Sequence, residues 1–136
     1  MSLSLATRRA RLLAVRSQID AAGGGALQLH GGTIASTPET AAAAAPLAII
    51  VLASTSFTLH ATAAEMALVP AQGFAALSGV VTWGRYVDGV GNAVYDCTAG
   101  PPGSGAELIV SDGATAPTAQ VYVGGEINVT HTLIEP

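Results

Sequence analysis

Residues 79–97, GVVTWGRYVDGVGNAVYDC, decide the fold class that this sequence predicts. Residues 80–87 are rich in β-branched and aromatic side chains, which favour strands. Residues 88–92 supply the Asp, Gly and Asn that turns use, and residues 93–97 resume a strand-like pattern. The stretch therefore predicts a β-hairpin with a loop of about four or five residues.

Short strand patterns separated by Gly- and Pro-rich turns continue on both sides of this hairpin. The other predicted strands are Ala26–His30, Leu47–Leu52, Phe57–His60, Met66–Val69, Glu107–Val110, Gln120–Val123 and Ile127–Ile134. We expect loops around Gly73 and over Gly100–Gly105, a turn at Asp112-Gly113, and a two-residue hairpin at Gly124-Gly125 between the last two strands. The pattern predicts an all-β sandwich or barrel of about eight strands, of which we expect the sandwich.

The N-terminal segment has a different period. Leu5, Leu12 and Ile19 recur at intervals of seven, with Val15 on the same stripe, so residues 4–21 are predicted to form an amphipathic helix. Glycines 23–25 should end it. We thus divide the chain into an Arg-rich helix with a Gly linker, residues 1–25, and a β domain, residues 26–136.

Charge follows the same division. Four arginines give residues 1–16 a formal charge of +4, whereas one arginine and nine acids give residues 17–136 a charge of −8, and there is no lysine. The four are Arg8, Arg9, Arg11 and Arg16. Like charges at this spacing repel one another on a bare helix, so we expect an anionic partner: this domain, a neighbouring subunit or nucleic acid. A simply solvated helix face is the alternative. Direct nucleic-acid contact is not expected, because no aromatic residues are interleaved.

Composition favours a chain that works in an assembly. Charged residues make up 10% of the sequence, against about 25% in typical soluble domains. A surface so poor in charge is a solubility risk for a free monomer. A membrane span is not expected, because the most apolar run, residues 41–53, contains Pro46 and a span needs about 20 residues. A mitochondrial presequence is an alternative interpretation of residues 1–19, which are Arg-rich and lack acids.

No catalytic, metal or cofactor site is predicted. His30, His60 and His131 lie on predicted strands without ligand spacing, and we interpret them as strand-surface residues. Cys97 is interpreted as a structural cysteine, because no basic group or helix start near it in sequence lowers its thiol pKa. The Gly-X-Gly sequences at 89–91 and 103–105 lack the third glycine of a dinucleotide fingerprint and are interpreted as turns.

Three segments resemble small structural proteins of tailed bacteriophages. They are residues 11–27, with Arg11-Leu12-Leu13 and Ile19-Asp20 before the glycines; residues 79–96, with the Trp-containing hairpin and its Gly-Asn turn; and residues 121–134, with Gly124-Gly125 before alternating Val and Thr. The sequence departs from the family pattern in the Pro-rich loop 100–105 and in Leu29-His30, where a basic and aromatic pair is more usual.

The resemblance implies a virion component without catalytic activity. The expected role is a capsid cement or decoration protein with a jelly-roll-like β-sandwich, which binds the major capsid protein and copies of itself in a virion assembled in the bacterial cytoplasm. No cofactor or small-molecule substrate is expected. Arg8, Arg9, Arg11, Arg16 and Trp83 are the predicted partner-binding residues; for Trp83, an anchor in the core of the sandwich is the alternative. The alternatives are a tail or head–tail connector component, a tail receptor- or glycan-binding module, and an enzyme of unknown type.

Overall fold

β-Strands dominate the computed structural model, which describes residues 2–112 and 118–135. In these residues one helix, α1 (Leu5–Asp20), precedes eleven strands. The strands are β1 (Ala26–His30), β2 (Ala48–Val51), β3 (Phe57–Leu59), β4 (Glu65–Leu68), β5 (Ala71–Phe74), β6 (Gly79–Val80), β7 (Trp83–Val87), β8 (Ala93–Gly100), β9 (Leu108–Ser111), β10 (Gln120–Val121) and β11 (Glu126–Ile134). The predicted β class with one N-terminal helix is confirmed.

Nine of these strands form one curled mixed sheet, a half-barrel. Its order is β2-β1-β7-β8-β9-β11-β4-β3, and β5 also pairs with β11. Neighbours are antiparallel except β8 and β9, which are parallel. An isolated bridge between Ala48 and Ala75 brings β2 beside β5. β10 and β6 form a separate two-stranded sheet. The predicted β-sandwich of jelly-roll type is not confirmed by this topology.

The central hairpin is confirmed. β7 and β8 pair with Gly84 opposite Cys97, and the chain reverses over residues 88–92. The Asp88 carboxylate accepts hydrogen bonds from the backbone N–H groups of Val90 and Asn92, so the turn chemistry in the sequence acts as expected. These hydrogen bonds lower the pKa of Asp88. Gly89 lies against the end of α1, where its N–H donates to the carbonyl of Ala21 over 3.0 Å.

Two differences raise the number of strands from the nine segments named in the sequence to eleven in the part of the chain that the structure describes. The predicted strand over residues 80–87 is divided, because β6 pairs with β10 whereas β7 pairs with β1 and β8. The predicted loop around Gly73 is β5. A Cβ at Gly73 would lie 3.1 Å from Cγ1 of Ile50, so the missing side chain lets this strand pack closely.

The predicted hairpin between the last two strands is wrong. β10 pairs with β6, and β11 pairs with β4, β5 and β9. Gly125 N donates to Tyr122 O within a tight turn, but Gly124 N donates to Ala75 O. The turn is therefore attached to the end of β5. Gly113, which belongs to the predicted Asp112-Gly113 turn, lies outside the described residues.

The helix adds to the same core as the sheet. Ser4 is its N-cap, and its side chain accepts a hydrogen bond from Thr7 N. Leu12 and Ile19 are buried in the main apolar cluster with Tyr86 and Leu108, and Val15 packs partly against it, whereas Leu5 is exposed. After the helix, Gly23 and Gly24 have φ values of 96° and 107°, which glycine adopts without strain.

Candidate functional site

The arginines of α1 contact the edge of the sheet. Arg9 Nη1 donates to the carbonyl oxygens of His60, at 2.6 Å, and Ala63, at 2.9 Å. Arg16 Nη1 donates to Phe57 O over 3.2 Å. These carbonyls belong to β3 or to the loop that follows it, and β3 ends the strand order. Because an edge strand exposes unpaired backbone groups, the Arg16 guanidinium satisfies an acceptor on β3 that would otherwise be open to another chain, and Arg9 satisfies two in the loop beside it.

Contacts at both ends of the helix complete this attachment. Arg8 Nη1 donates to Glu135 O over 3.3 Å, and Arg11 Nη1 forms an ion pair with the Glu135 carboxylate at 2.7 Å. At the other end, the Asp20 carboxylate accepts the N–H of Ser56 over 3.1 Å. We call these contacts of α1 with residues 56–63 and Glu135 the helix attachment.

Of the three partners that the sequence left open, the structure shows the domain itself. Each of Arg8, Arg9, Arg11 and Arg16 has an acceptor within its own chain. Arg8 Nε is buried and has no hydrogen-bond partner among the described residues. A role for these arginines in binding another protein stays a prediction, and any such partner would meet side chains that already have acceptors.

Trp83 lies inside the fold. It is 2% exposed, stacks on His30 with ring centroids 4.3 Å apart, and donates Nε1–H to Gly31 O over 3.2 Å. The Arg85 guanidinium lies 5.3 Å from the Trp83 ring. Trp83 is therefore buried, which leaves little of its surface for the predicted partner contact.

Arg85 and Asp96 form a buried ion pair behind this tryptophan. Arg85 Nε and Nη2 donate to the two carboxylate oxygens of Asp96 over 2.7 and 2.9 Å. Nη2 also donates to Thr40 O over 2.8 Å, in the loop between β1 and β2. The hydrogen bond with Asp96 raises the pKa of Arg85, and burial followed by the nearby Arg85 charge lowers the pKa of His30. This pair holds the loop on the sheet.

An apolar face lies on the outside of the half-barrel. Val51 is 79% exposed and Phe74 is 67% exposed, and Ile49 is exposed beside them. The Ala48–Ala75 bridge brings β2 and β5 together, so Ile49 and Phe74, each next to a bridge residue, face solvent side by side. The neighbouring turn, in which Gly124 N donates to Ala75 O, carries two further exposed side chains at positions 122 and 123. We group Ile49, Val51, Phe74, Tyr122 and Val123 under the name apolar face.

A polar cluster lies within the half-barrel. One ligand-type atom from each of Cys97, Glu107 and His131 lies within 4.8 Å of the others, the single such group of three found in residues 2–112 and 118–135. Tyr86 OH is 2.8 Å from His131 Nδ1, and Tyr95 OH donates to the Glu107 carboxylate over 2.6 Å. We call these five residues the polar cluster. Cys97 and His131 are buried, whereas Glu107 is exposed and opens the cluster to solvent.

Burial keeps the histidine, the cysteine and the two tyrosines of the cluster uncharged. It lowers the pKa of His131 to about 4 and raises the pKa of the Cys97 thiol well above its ordinary value. Burial also raises the pKa of Tyr86, and burial followed by the hydrogen bond with Glu107 raises that of Tyr95. At neutral pH His131 is therefore a neutral imidazole and Cys97 a thiol, so the pair lacks the thiolate that a cysteine nucleophile needs.

The structure corrects the interpretation of the histidines. His30 and His131 are buried, not on the strand surface, and His60 is exposed just after β3. One signal for His131 was present: it continues the alternation of Ile127 and Val129, both buried, on β11. Nothing in the sequence indicated that His131 lies near Cys97, because their proximity depends on β8 and β11 lying on either side of β9.

No helix among residues 2–112 and 118–135 combines the length and the apolar character of a membrane span. Comparison of the chain with protein-family models, with curated proteins and with solved structures found no match.

Proposed function

We propose that this protein is a non-catalytic structural component of a tailed-phage virion that binds the capsid shell and stabilises it, as cement and decoration proteins do. Its partners would be the major capsid protein and further copies of itself. The proposal is supported by the three segments that resemble phage structural proteins and by the low charge of the chain. The observation that carries it is the apolar face.

The apolar face has the properties of an adhesive contact. Its aliphatic and aromatic side chains come from β2, β5 and the turn before β11, which the Ala75 hydrogen bonds hold together. Burying such side chains against another protein removes apolar area from water, worth about 25 cal/mol per Å². Aromatic residues such as Phe74 and Tyr122 are typical contact anchors. A capsid lattice multiplies a modest affinity, because each bound copy has neighbours.

In the proposed contact with a shell, most of the arginines act indirectly, by holding α1 on the sheet. Arg9 and Arg16 hold α1 on the sheet, so the surface presented to a shell would be a rigid body. Arg11 is the most accessible candidate for selecting an acidic patch, because its side chain is 58% exposed even when paired with Glu135. The proposal includes a relation between the curled sheet and the jelly-roll sandwiches of phage decoration proteins. The alternation of buried and exposed residues on β2 and β11 supports this relation.

The test is binding to shells of the phage that encodes the protein. Purified particles should contain it in a copy number comparable with that of the major capsid protein, and removing it should lower the melting temperature of the shell. Phe74→Ser should weaken rebinding to stripped shells by roughly tenfold or more. Val90→Ser is the matched control, because Val90 is equally exposed but lies in the loop over residues 88–92.

Each alternative has its own outcome. A handful of copies per particle would assign the protein to the tail or the connector instead. Equal rebinding of Phe74→Ser and Val90→Ser would remove the apolar face from the mechanism. Arg11→Gln should reduce the salt dependence of rebinding, since exposed charges are screened by salt. Specific binding on a glycan array, without shell binding, would favour the receptor module.

A further inference from the structure

We propose that the polar cluster is a binding site for a transition-metal ion of the zinc type, with Cys97 Sγ, His131 Nε2 and a Glu107 carboxylate oxygen as ligands. Sulfur, imidazole nitrogen and carboxylate oxygen are the three donor types that proteins offer to Zn²⁺. The three donors come from β8, from the residue just before β9, and from β11, and the sheet brings them together. This inference does not depend on the proposed function.

The distances suit an ion after a small adjustment. Donors that bind Zn²⁺ tetrahedrally at about 2.0–2.3 Å lie about 3.5 Å from one another. One donor atom from each of the three residues already lies within 4.8 Å of the others. Glu107 is exposed, so a small shift of its side chain within reach of Tyr95 would bring the carboxylate closer to the other two donors. Solvent on the Glu107 side supplies the route for the ion and a water for the fourth position.

The surroundings of His131 match those of a metal ligand. Nδ1 is engaged with Tyr86 OH at 2.8 Å, which leaves Nε2 as the ring nitrogen without a hydrogen bond among the described residues. Metal-binding histidines usually donate the N–H of their other nitrogen to an oxygen, which fixes the tautomer and the ring orientation. Tyr86 is buried and provides that oxygen. Tyr95 holds the Glu107 carboxylate in the same way, through its 2.6 Å hydrogen bond.

Protonation agrees with this arrangement. A neutral imidazole, which His131 is at neutral pH, is the form that binds metal. Cys97 must lose its proton to bind as a thiolate, so each ion bound releases one proton to solvent. The positive charge of a bound ion favours this thiolate form of Cys97.

The experiment uses the full chain, freed of metal with a chelator and titrated with Co²⁺. We expect one ion per chain, a sulfur-to-cobalt charge-transfer band in the near ultraviolet, and displacement of the band by Zn²⁺. Cys97→Ser should abolish the band. Glu107→Gln should weaken binding by more than about tenfold, and Tyr86→Phe by about 10–100-fold.

Matched controls distinguish the site from surface binding. Glu126→Gln changes another exposed glutamate at a strand start, and His60→Gln changes the exposed histidine. Both should bind Co²⁺ as the unaltered chain does. The proposal is overturned if the band is absent both from folded protein and from protein refolded with Co²⁺. Equal Co²⁺ affinities of Glu107→Gln and Glu126→Gln overturn it too. Glu107→Gln should fold normally, because the side chain of Glu107 is exposed and its replacement leaves no cavity in the core.

Discussion

The phenol oxygen of Tyr86 lies 2.8 Å from Nδ1 of His131, and this contact joins the central hairpin to the last strand inside the half-barrel. The two rings are also stacked, with centroids 5.7 Å apart. The hydrogen bond satisfies two polar groups that would otherwise be costly to bury. Burial of the ring lowers the pKa of His131, so this histidine stays neutral well below its ordinary pKa.

Stability should fall on acidification because of His131. Its pKa is about 4 in the folded protein against an ordinary value of 6.5, so below pH 6.5 the unfolded chain binds a proton that the folded chain does not. The contribution of neutral His131 to the free energy of unfolding is therefore fully present above pH 6.5. It falls by about 3 kcal/mol as the pH falls to about 4. Denaturant unfolding followed by Trp83 fluorescence, carried out at pH values from about 7.5 down to about 4.5, measures this loss of unfolding free energy.

Two variants assign this pH dependence. His131→Gln keeps a hydrogen-bonding group but cannot take up the proton, so its stability should depend much less on pH. His30→Gln separates the smaller contribution expected from His30, whose pKa is lowered in the same direction. An undiminished pH dependence in His131→Gln would contradict the assignment.

Removing Arg9 should loosen the helix attachment. Its Nη1 donates to two backbone carbonyls, and hydrogen bonds from a charged donor contribute about 1.5–3 kcal/mol in favourable sites. We expect Arg9→Gln to lose about 1–2 kcal/mol of unfolding free energy. Arg11→Gln is the control, with a loss below about 1 kcal/mol, because an exposed ion pair is screened by water. Equal losses in the two variants would show that the carbonyl contacts of Arg9 contribute little.

Breaking the Arg85–Asp96 pair should be costly. The side chains are 8% and 6% exposed, so Asp96→Asn leaves a buried guanidinium without its carboxylate. The expected loss is about 3–5 kcal/mol in denaturant unfolding. Glu126→Gln, on the surface, should change stability by less than about 0.5 kcal/mol. The double variant Arg85→Met with Asp96→Leu should recover much of the loss, since it removes both buried charges. A double variant as unstable as Asp96→Asn would contradict this reasoning.

A side chain at Gly89 should disturb the junction between α1 and the hairpin. A Cβ there would overlap the carbonyl group of Ala22. Gly89→Ala must move the backbone that carries the hydrogen bond with Ala21, and we expect a loss of about 1–3 kcal/mol. Val90→Ala, a change at the next and exposed position, should stay within about 0.5 kcal/mol. Thermal unfolding followed by circular dichroism compares the two, and similar midpoints would show that the junction is tolerant.

Local patterns in the sequence predicted the helix, the central hairpin and most strands. The Leu12–Ile19 spacing and the glycines after Asp20 are short-range signals, and so are the turn residues between Val87 and Ala93. The same reasoning failed for β5, because four residues with a central glycine carry too little β signal. It also failed at Gly124-Gly125. A turn is present there, but the strands on its two sides do not pair with each other: β10 pairs with β6, and β11 pairs with β5.

The candidate sites depended on long-range pairing, which a single sequence does not show. The clustered arginines predicted that acceptors must lie nearby. That these acceptors are backbone carbonyls of residues 56–63 follows from the packing of α1 on β3, which the sequence does not show. Cys97 and His131 are 34 positions apart in the sequence and meet because β9 lies between β8 and β11.

The amino-acid sequence by itself determined the β class, the single N-terminal helix, the division of charge and the low-charge composition, since each follows from neighbouring residues or from counts. Tertiary structure alone decided which strands meet, and therefore the half-barrel, the apolar face and the polar cluster. The physical reason is that strand pairing is made by backbone hydrogen bonds, which every residue except proline offers alike, so partners are selected by the packing of the whole core.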